Sequence, residues 1–134
     1  MSCVFVVEGV QLDVDSFLSN IQLKPNPYRI DRKGDPGLLG GDKWVTNAIY
    51  CDASEASMSQ FMRQQRDAEQ FLKRNRAQIL KMNSLQLGVH DCWLDFGIEL
   101  KNVTIPCEVF CPSLCKAAGE LGIGLMFSVY PAAS

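Results

Sequence analysis

Alternating apolar residues and apolar residues at helical spacing divide the chain into short strand-like runs and a few helical ones. Residues 3–8 form a β-branched and aromatic run that ends at Gly9, which predicts a central strand. Residues 28–33 predict a short polar strand near a sheet edge. Residues 44–51 alternate as well, and one face of this third strand carries Trp44, Thr46, Ala48 and Tyr50.

Three segments have the spacing of helices. The first is a short helix that ends at residue 20 and is capped by Asp13 or Asp15. Residues 54–82 contain no proline or glycine and repeat apolar residues every three or four positions, which predicts one long amphipathic helix. A proline before residues 113–121 and a glycine after them are typical of the start and the end of a third helix.

The last third of the chain predicts further strands. Residues 85–89 and 94–100 alternate on either side of a polar break, which indicates a hairpin with one buried face. Residues 103–110 predict another strand, broken by Pro106, and residues 124–130 predict the final one. The prediction of strands in this part of the chain therefore rests on the alternation of apolar and polar residues.

These elements predict a single α+β domain over residues 1–134. Their order, β-α-β-β-α-β-β-(β)-α-β, distributes helices along one mostly antiparallel sheet, so we expect a two-layer sandwich in which one long and two short helices cover the sheet. A length of 134 residues with 47% apolar and 21% charged residues is typical of one globular domain.

Charge is distributed unevenly along the chain. The net charge is −2, but residues 53–82 hold six cations and three acids, so this segment is +3 and the remainder is −5. A net negative charge disfavours a dedicated nucleic-acid binder, and we do not expect nucleic acid as a partner. The sequence shows no basic leader and no run of about 18 apolar residues, so we expect a cytoplasmic protein that does not enter a membrane.

The chain has six cysteines, which we interpret as free thiols that behave as small buried apolar groups. Cys107, Cys111 and Cys115 are spaced like ligands on one helix face, but Pro112 interrupts that helix. We therefore predict no metal site. We also predict no cofactor, because the glycine-rich residues 34–42 lack the lysine and hydroxyl residue that end a phosphate loop.

The residue types for nucleophilic or acid–base catalysis occur, but not in a productive arrangement. His90, Asp91 and Cys92 are adjacent, and neighbouring residues of a strand point to opposite faces, so we interpret them as a solvated turn. Asp91, Asp95 and Glu99 alternate, and we interpret them as acids that solvate an exposed strand face rather than as a glycosidase-like pair. We predict no catalytic residues and expect a protein that is not an enzyme.

Two groups of residues are candidates for binding a partner. Trp93 shares a strand face with Asp95, opposite the apolar stripe, and exposed tryptophan is enriched where proteins contact each other. The second group flanks the glycine-rich loop and comprises Arg29, Arg32, Lys33, Lys43 and Trp44. Such a cluster beside a loop is suited to an acidic partner or ligand. The structural alternatives are a tryptophan covered by the long helix and a solvated loop rim.

A pocket between the long helix and the sheet is the competing hypothesis. Its lining would comprise Tyr50, Met58 and Met62 together with Trp44, and methionine-rich linings adapt to varied apolar ligands. The chain would then be a small-molecule-binding protein or an enzyme. A third hypothesis makes the basic helix a nucleic-acid contact.

Three short segments resemble a known bacterial family. The first is an opening strand followed by Leu-Asp-Val-Asp at 12–15 and a helix that ends in Leu-Lys-Pro at 23–25. The second is Arg-Lys-Gly at 32–34, a variable loop and a strand that starts with Trp44. The third runs from Pro-Ser-Leu-Cys at 112–115 to Phe-Ser-Val-Tyr at 127–130. Together these segments resemble the family catalogued as domain of unknown function 4279.

This resemblance implies a small protein of the kind carried on mobile or toxin-associated loci, some of which are immunity-like, and it supplies no catalytic residues. We therefore expect a binding module without catalytic machinery, either toxin-immunity-like or accessory to a mobile element. Its partner would be another protein or a second copy of the chain in a homodimer.

Overall fold

The structure is a computed structural model that describes residues 2–37, 41–100 and 108–131. Within these ranges the chain forms five strands and four helices. The strands are β1 (Cys3–Gly9), β2 (Arg29–Asp31), β3 (Asn47–Ser54), β4 (Asp91–Leu100) and β5 (Gly124–Pro131). The helices are α1 (Val14–Asn20), α2 (Phe61–Arg74), α3 (Arg76–Ser84) and α4 (Pro112–Glu120).

The strands form one sheet in the order β2-β3-β1-β4-β5. β1 pairs antiparallel with β3 and with β4, β2 pairs antiparallel with β3, and β5 lies parallel to β4. The parallel pair is possible because α4 lies between β4 and β5 in the chain, so that the two strands are joined by a crossover and not by a hairpin. The predicted α+β fold with one mostly antiparallel sheet is confirmed.

All four helices pack on the same face of the sheet. β1 presents Cys3, Phe5 and Val7 to them, and none of the three has exposed surface. The ring centroid of Phe5 lies 5.4 Å from that of Phe71 on α2. Burying a side chain of this size stabilises the fold by roughly 2–3 kcal/mol, so this helix-covered face carries most of the apolar stabilisation.

Local signals fix the ends of the short helices. Asp13 caps α1, because its carboxylate accepts a hydrogen bond from the Ser16 amide at 3.0 Å. α4 has Pro112 as its first residue and ends just before Gly122, whose φ of +70° is a conformation that glycine adopts readily. Among the described helices, none combines the length and the apolar character needed to cross a bilayer.

The predicted continuous helix over residues 54–82 is wrong. β3 continues to Ser54, and α2 begins only at Phe61. A second break at Asn75 separates α2 from α3. The Asn75 side chain donates hydrogen bonds to the carbonyls of Phe71 and Lys24 and accepts one from the Lys24 amide, at 2.8–2.9 Å. An asparagine side chain that bonds to nearby backbone competes with helical hydrogen bonds, which explains a break without proline or glycine.

The predicted hairpin over residues 85–100 is also wrong, because residues 85–90 form no strand. They pack instead against the loop before α1, where the Asp13 amide donates to the Leu87 carbonyl at 2.9 Å. The strand predicted at 28–33 is reduced to β2, and the one predicted at 44–51 is shifted to β3. Of the strand predicted at 103–110, the first five residues lie outside the described part of the chain, and the last three are not in a strand.

Candidate functional site: the open face of the sheet

The face of the sheet opposite the helices is the candidate site. We call it the open face, because no described helix packs on it. Strand register and alternation assign its residues. They are Val4, Val6, Glu8, Arg29, Asp31, Ala48, Tyr50, Asp52, Asp91, Trp93, Asp95, Gly97, Glu99, Gly124, Met126, Ser128 and Tyr130.

A row of large side chains crosses the middle of the open face. Arg29 of β2 is in register with Tyr50 of β3, Tyr50 with Val6 of β1, and Val6 with Trp93 of β4. Val6 is only 4% exposed although no described helix packs on this face, and the register places it between Tyr50 and Trp93. The Trp93 indole nitrogen is buried and has no hydrogen-bond partner within the described residues.

One end of this row is rigidly held. The Arg29 guanidinium makes two hydrogen bonds of 3.0 Å to the Asp31 carboxylate and lies over the ring of Tyr50, 4.6 Å from its centroid. The Tyr50 hydroxyl donates to the same carboxylate at 2.9 Å. Burial first and Asp31 second raise the pKa of Tyr50 to about 12. Asp31 thus neutralises Arg29 and orients the aromatic ring.

Trp44 joins this end of the row from outside the sheet. Its ring centroid is 5.5 Å from the Arg29 guanidinium carbon. Two backbone hydrogen bonds of 2.9 Å hold it, one from the Gly34 amide to its carbonyl and one from its own amide to the Asp35 carbonyl. These two backbone hydrogen bonds at the base of the glycine-rich loop fix Trp44 beside Arg29. The Arg29 guanidinium can therefore contact the rings of both Trp44 and Tyr50.

Acidic residues lie on both sides of the central row. Asp52 of β3 and Asp95 of β4 flank Val4 in register, and Glu8 is in register with Asp91. Burial, followed by the neighbouring carboxylate of Glu55, raises the pKa of Asp52 to about 6. One Asp52 oxygen is buried without a hydrogen-bond partner among the described residues. These groups concentrate negative charge on the open face.

A cleft of about 610 Å³ adjoins the Glu8 and Asp91 end of the face. Glycines shape its floor, because a side chain at Gly9 would collide with the carbonyl of Gly88, and one at Gly88 would collide with the carbonyl of Gln11. The backbone segments can approach each other this closely only because both positions are glycine.

The histidine and the thiol predicted to form a solvated turn are not brought together as a catalytic pair. The His90 imidazole is 2.9 Å from the Asp91 carboxylate and largely exposed, whereas Cys92 packs against the core. Burial first and Asp91 second raise the pKa of the Cys92 thiol to about 11. An activated cysteine has a lowered pKa, so this environment disfavours the nucleophilic thiolate.

The structure brings five of the predicted site residues to the open side of the sheet, namely Arg29, Trp44, Tyr50, Trp93 and Asp95. The remainder of the predicted loop cluster separates from them. Arg32 forms an exposed ion pair of 2.9 Å with Asp15 in the first turn of α1, and the backbone amide of the exposed Lys33 donates a hydrogen bond to the Asn47 side chain. Lys43 is exposed and forms an isolated β-bridge with Pro36. Of the five residues of the predicted cluster, the structure therefore brings Arg29 and Trp44 together.

The predicted pocket lining does not come together. Tyr50 is on the open face, Met62 is 51% exposed on α2 on the other side of the sheet, and Met58 lies beside Gly97. The space between α2 and the sheet is occupied by phenylalanines, with the Phe61 and Phe96 centroids 5.7 Å apart. The small-molecule hypothesis therefore lacks the lining on which it depended.

Aromatic residues are segregated by type between the two sides. The phenylalanines lie on the helix-covered side, and they are Phe5, Phe17, Phe61, Phe71, Phe96, Phe110 and Phe127. Both tryptophans and all three tyrosines lie on the open side. Tyrosine and tryptophan combine an apolar ring with a polar group and are enriched at protein interfaces, whereas phenylalanine has no polar group to satisfy.

Comparison with known proteins gave no match, whether to family models, to curated proteins or to solved structures. The resemblance to the family of unknown function stays a prediction, and the open face is the part of the molecule that bears on function.

Proposed function

We propose that this protein is a small binding module without catalytic machinery, which holds a partner protein against the open face of its sheet. The observation that carries the proposal is the central row of Arg29, Tyr50, Val6 and Trp93 on a face that no described helix covers. Tyrosine, tryptophan and arginine are the residue types that contribute most to protein interfaces.

Preorganisation of the row supports this proposal. Arg29, Asp31 and Tyr50 hold one another by three hydrogen bonds of 2.9–3.0 Å. Side chains that are already ordered lose little conformational entropy when a partner binds, and this loss is about 0.5–1.5 kcal/mol for each side chain that must be immobilised. The open face is thus better prepared for contact than a surface of long unpaired side chains.

A more specific form of the proposal is a cytoplasmic bacterial protein that is toxin-immunity-like or accessory to a mobile element. Its support is the family resemblance of the three sequence segments. In this form the open face occludes the partner, which requires surface complementarity and no reacting groups.

Site-specific photo-crosslinking in the native host tests the proposal. A photoreactive amino acid placed at Met126 or Tyr130, which are 40% and 46% exposed on the open face, should yield a covalent adduct with a partner. The matched control position is Met62, which is 51% exposed on α2 and should yield none. Trp93→Ala should abolish the adduct. Equal adducts from both sides, or none from the open face, would refute the proposal.

A second copy of the chain is the other predicted partner, and β5 favours it. β5 is at the edge of the sheet, contains no charged residue, and has Phe127 57% exposed and Val129 52% exposed. Edge strands commonly carry charges that prevent pairing with another chain. Size-exclusion chromatography with light scattering, comparing the wild type with Val129→Lys, tests this candidate. A homodimer through β5 should become a monomer in the variant.

A further inference from the structure

The open face and the helix layer have opposite charge. The open face holds six carboxylates and one guanidinium, so its formal charge is −5. The carboxylates are Glu8, Asp31, Asp52, Asp91, Asp95 and Glu99. On the other side of the sheet, α2 and α3 hold six cations and two acids, which gives +4. The molecule therefore presents a negative surface on its sheet side and a positive one on its helix side.

Within the described parts of the chain, most of the negative charge on the open face lacks a permanent counter-ion. Among the ion pairs of the described residues, Arg29 with Asp31 is the one Lys or Arg pair on this face. Asp91 contacts the histidine, and the hydroxyl of Ser128 donates to Asp95 at 2.8 Å. Asp95 and Asp52 also help to raise the pKa of the Cys3 thiol beneath the sheet, after burial as the main cause. A positively charged partner would relieve this excess.

The charges are arranged in rows across the strands. Along β1, the row of Val4 is flanked by Asp52 and Asp95, and the row of Glu8 includes Asp91. These two acidic rows are four residues apart, which is about 13 Å at strand spacing, and the aromatic row of Val6 lies midway between them.

We infer that the partner contacts the open face with an extended basic segment, in which two lysine or arginine side chains flank an apolar or aromatic one at every second position. This inference rests on the proposed function and names the chemistry of its partner. An extended chain that lies along β1 has the same repeat as the strand, so residues i, i+2 and i+4 of the segment face the three rows in turn. The outer cations meet Glu8 with Asp91 and Asp52 with Asp95, and the central residue packs on Trp93.

The same charges disfavour other macromolecules on this face. A nucleic-acid backbone and an anionic lipid surface would both bring negative charge to a −5 surface and be repelled. Those partners would be attracted instead to the basic surface of α2 and α3. An experiment that shows which residues are contacted therefore distinguishes them from a basic partner on the open face.

Titration of ¹⁵N-labelled full-length protein with short peptides tests the inference. The probe is the acetylated and amidated peptide RGWGR, which has the inferred spacing. The controls are its isomer RRGWG, with the same composition and charge, and the acidic peptide EGWGE. At about 20 mM ionic strength, where screening is weak, RGWGR should shift the amide signals of β1 and β4 and bind about threefold or more tighter than its isomer. EGWGE should not shift these signals.

Matched charge-removing variants identify the surface. Glu8→Gln combined with Asp95→Asn should weaken RGWGR binding about fivefold or more. Glu69→Gln combined with Glu120→Gln removes two acids from the helix layer and should change the affinity by less than about twofold. Shifts confined to α2 and α3, or equal affinity for the three peptides, would overturn the inference. If photo-crosslinking still gives an adduct from Tyr130 in that case, the open face binds a partner of other chemistry and the proposed function survives.

Discussion

The two faces of the sheet are built from the same strands, whose successive side chains point alternately to the helix-covered face and to the open face. On β1, Phe5 and Val7 have no exposed surface beneath the helices, while Val6 and Glu8, the residues that follow each of them, belong to the open face. A step of one residue therefore separates side chains that pack beneath the helices from side chains that belong to the open face. The difference predicts that substitutions on the helix-covered face mainly change stability, and that those on the open face mainly change binding.

The largest expected effect is on the helix-covered face. Phe71→Ala should lower the free energy of unfolding by about 3–5 kcal/mol, because it removes a ring that is 1% exposed and contacts Phe5. Met126→Ala on the open face, where the side chain is 40% exposed, should cost less than about 1 kcal/mol. Urea unfolding followed by circular dichroism measures both. Equal losses would mean that the two faces do not divide their roles as proposed.

A smaller loss is expected where a polar contact holds the helix layer. Asn75→Ala should destabilise the protein by about 2–3 kcal/mol, because the buried Asn75 side chain bonds to both the amide and the carbonyl of Lys24. Asn83→Ala is the matched control, since the exposed Asn83 makes one hydrogen bond, to the Leu121 carbonyl, and should cost less than about 1 kcal/mol. Urea midpoints at constant slope provide the measurement. A variant as stable as the control would show that the break between α2 and α3 does not depend on Asn75.

The smallest expected effect is a pH-dependent change in stability that arises from Asp52 on the open face. The pKa of Asp52 is raised from 3.8 to about 6, so its protonated form is favoured in the folded state. The associated stability is present below about pH 4 and lost as the pH rises through 6. Asp52→Asn should therefore match the wild type at pH 4 and exceed it at pH 8 by about 1 kcal/mol, after allowance for solvent screening of a half-buried group.

Unfolding curves for wild type and Asp52→Asn at the two pH values test this expectation. Asp42→Asn, in the exposed loop, is the control and should show no such difference between them. An Asp52→Asn variant that is less stable than the wild type at pH 8 would contradict the assigned direction of the pKa.

Much of the fold follows from local patterns in the sequence. A β-branched and aromatic run predicted β1, alternation predicted the greater part of β4 and β5, and helical spacing with a cap at Asp13 or Asp15 predicted α1. The prediction of one continuous helix over residues 54–82 failed at Asn75, because asparagine is not a strong helix breaker by itself. Asn75 interrupts the helix through contacts with Lys24, about 50 residues earlier, and the helical spacing of apolar residues resumes at once in α3. Such tertiary contacts leave no periodic signal in the sequence.

The candidate site was predictable on single strands but not across them. Alternation on β4 correctly placed Trp93 and Asp95 opposite Leu94. The β1 residues of the open face were not predicted as part of the site, because the run from Cys3 to Glu8 is apolar until its last residue and does not indicate which side chains point away from the helices. The rows that join Asp52, Val4 and Asp95 depend on strand order and register, and neither is encoded in the local pattern.

The separation of aromatic types has a consequence for spectroscopy. Because both tryptophans and all three tyrosines lie on the open side, nearly all near-ultraviolet absorption and emission of the protein originates there, and the phenylalanines beneath the helices contribute little. Quenching or a wavelength change when another molecule is added would report an event on that side. The wild-type chain thus carries an intrinsic optical probe of its own binding surface and needs no attached dye.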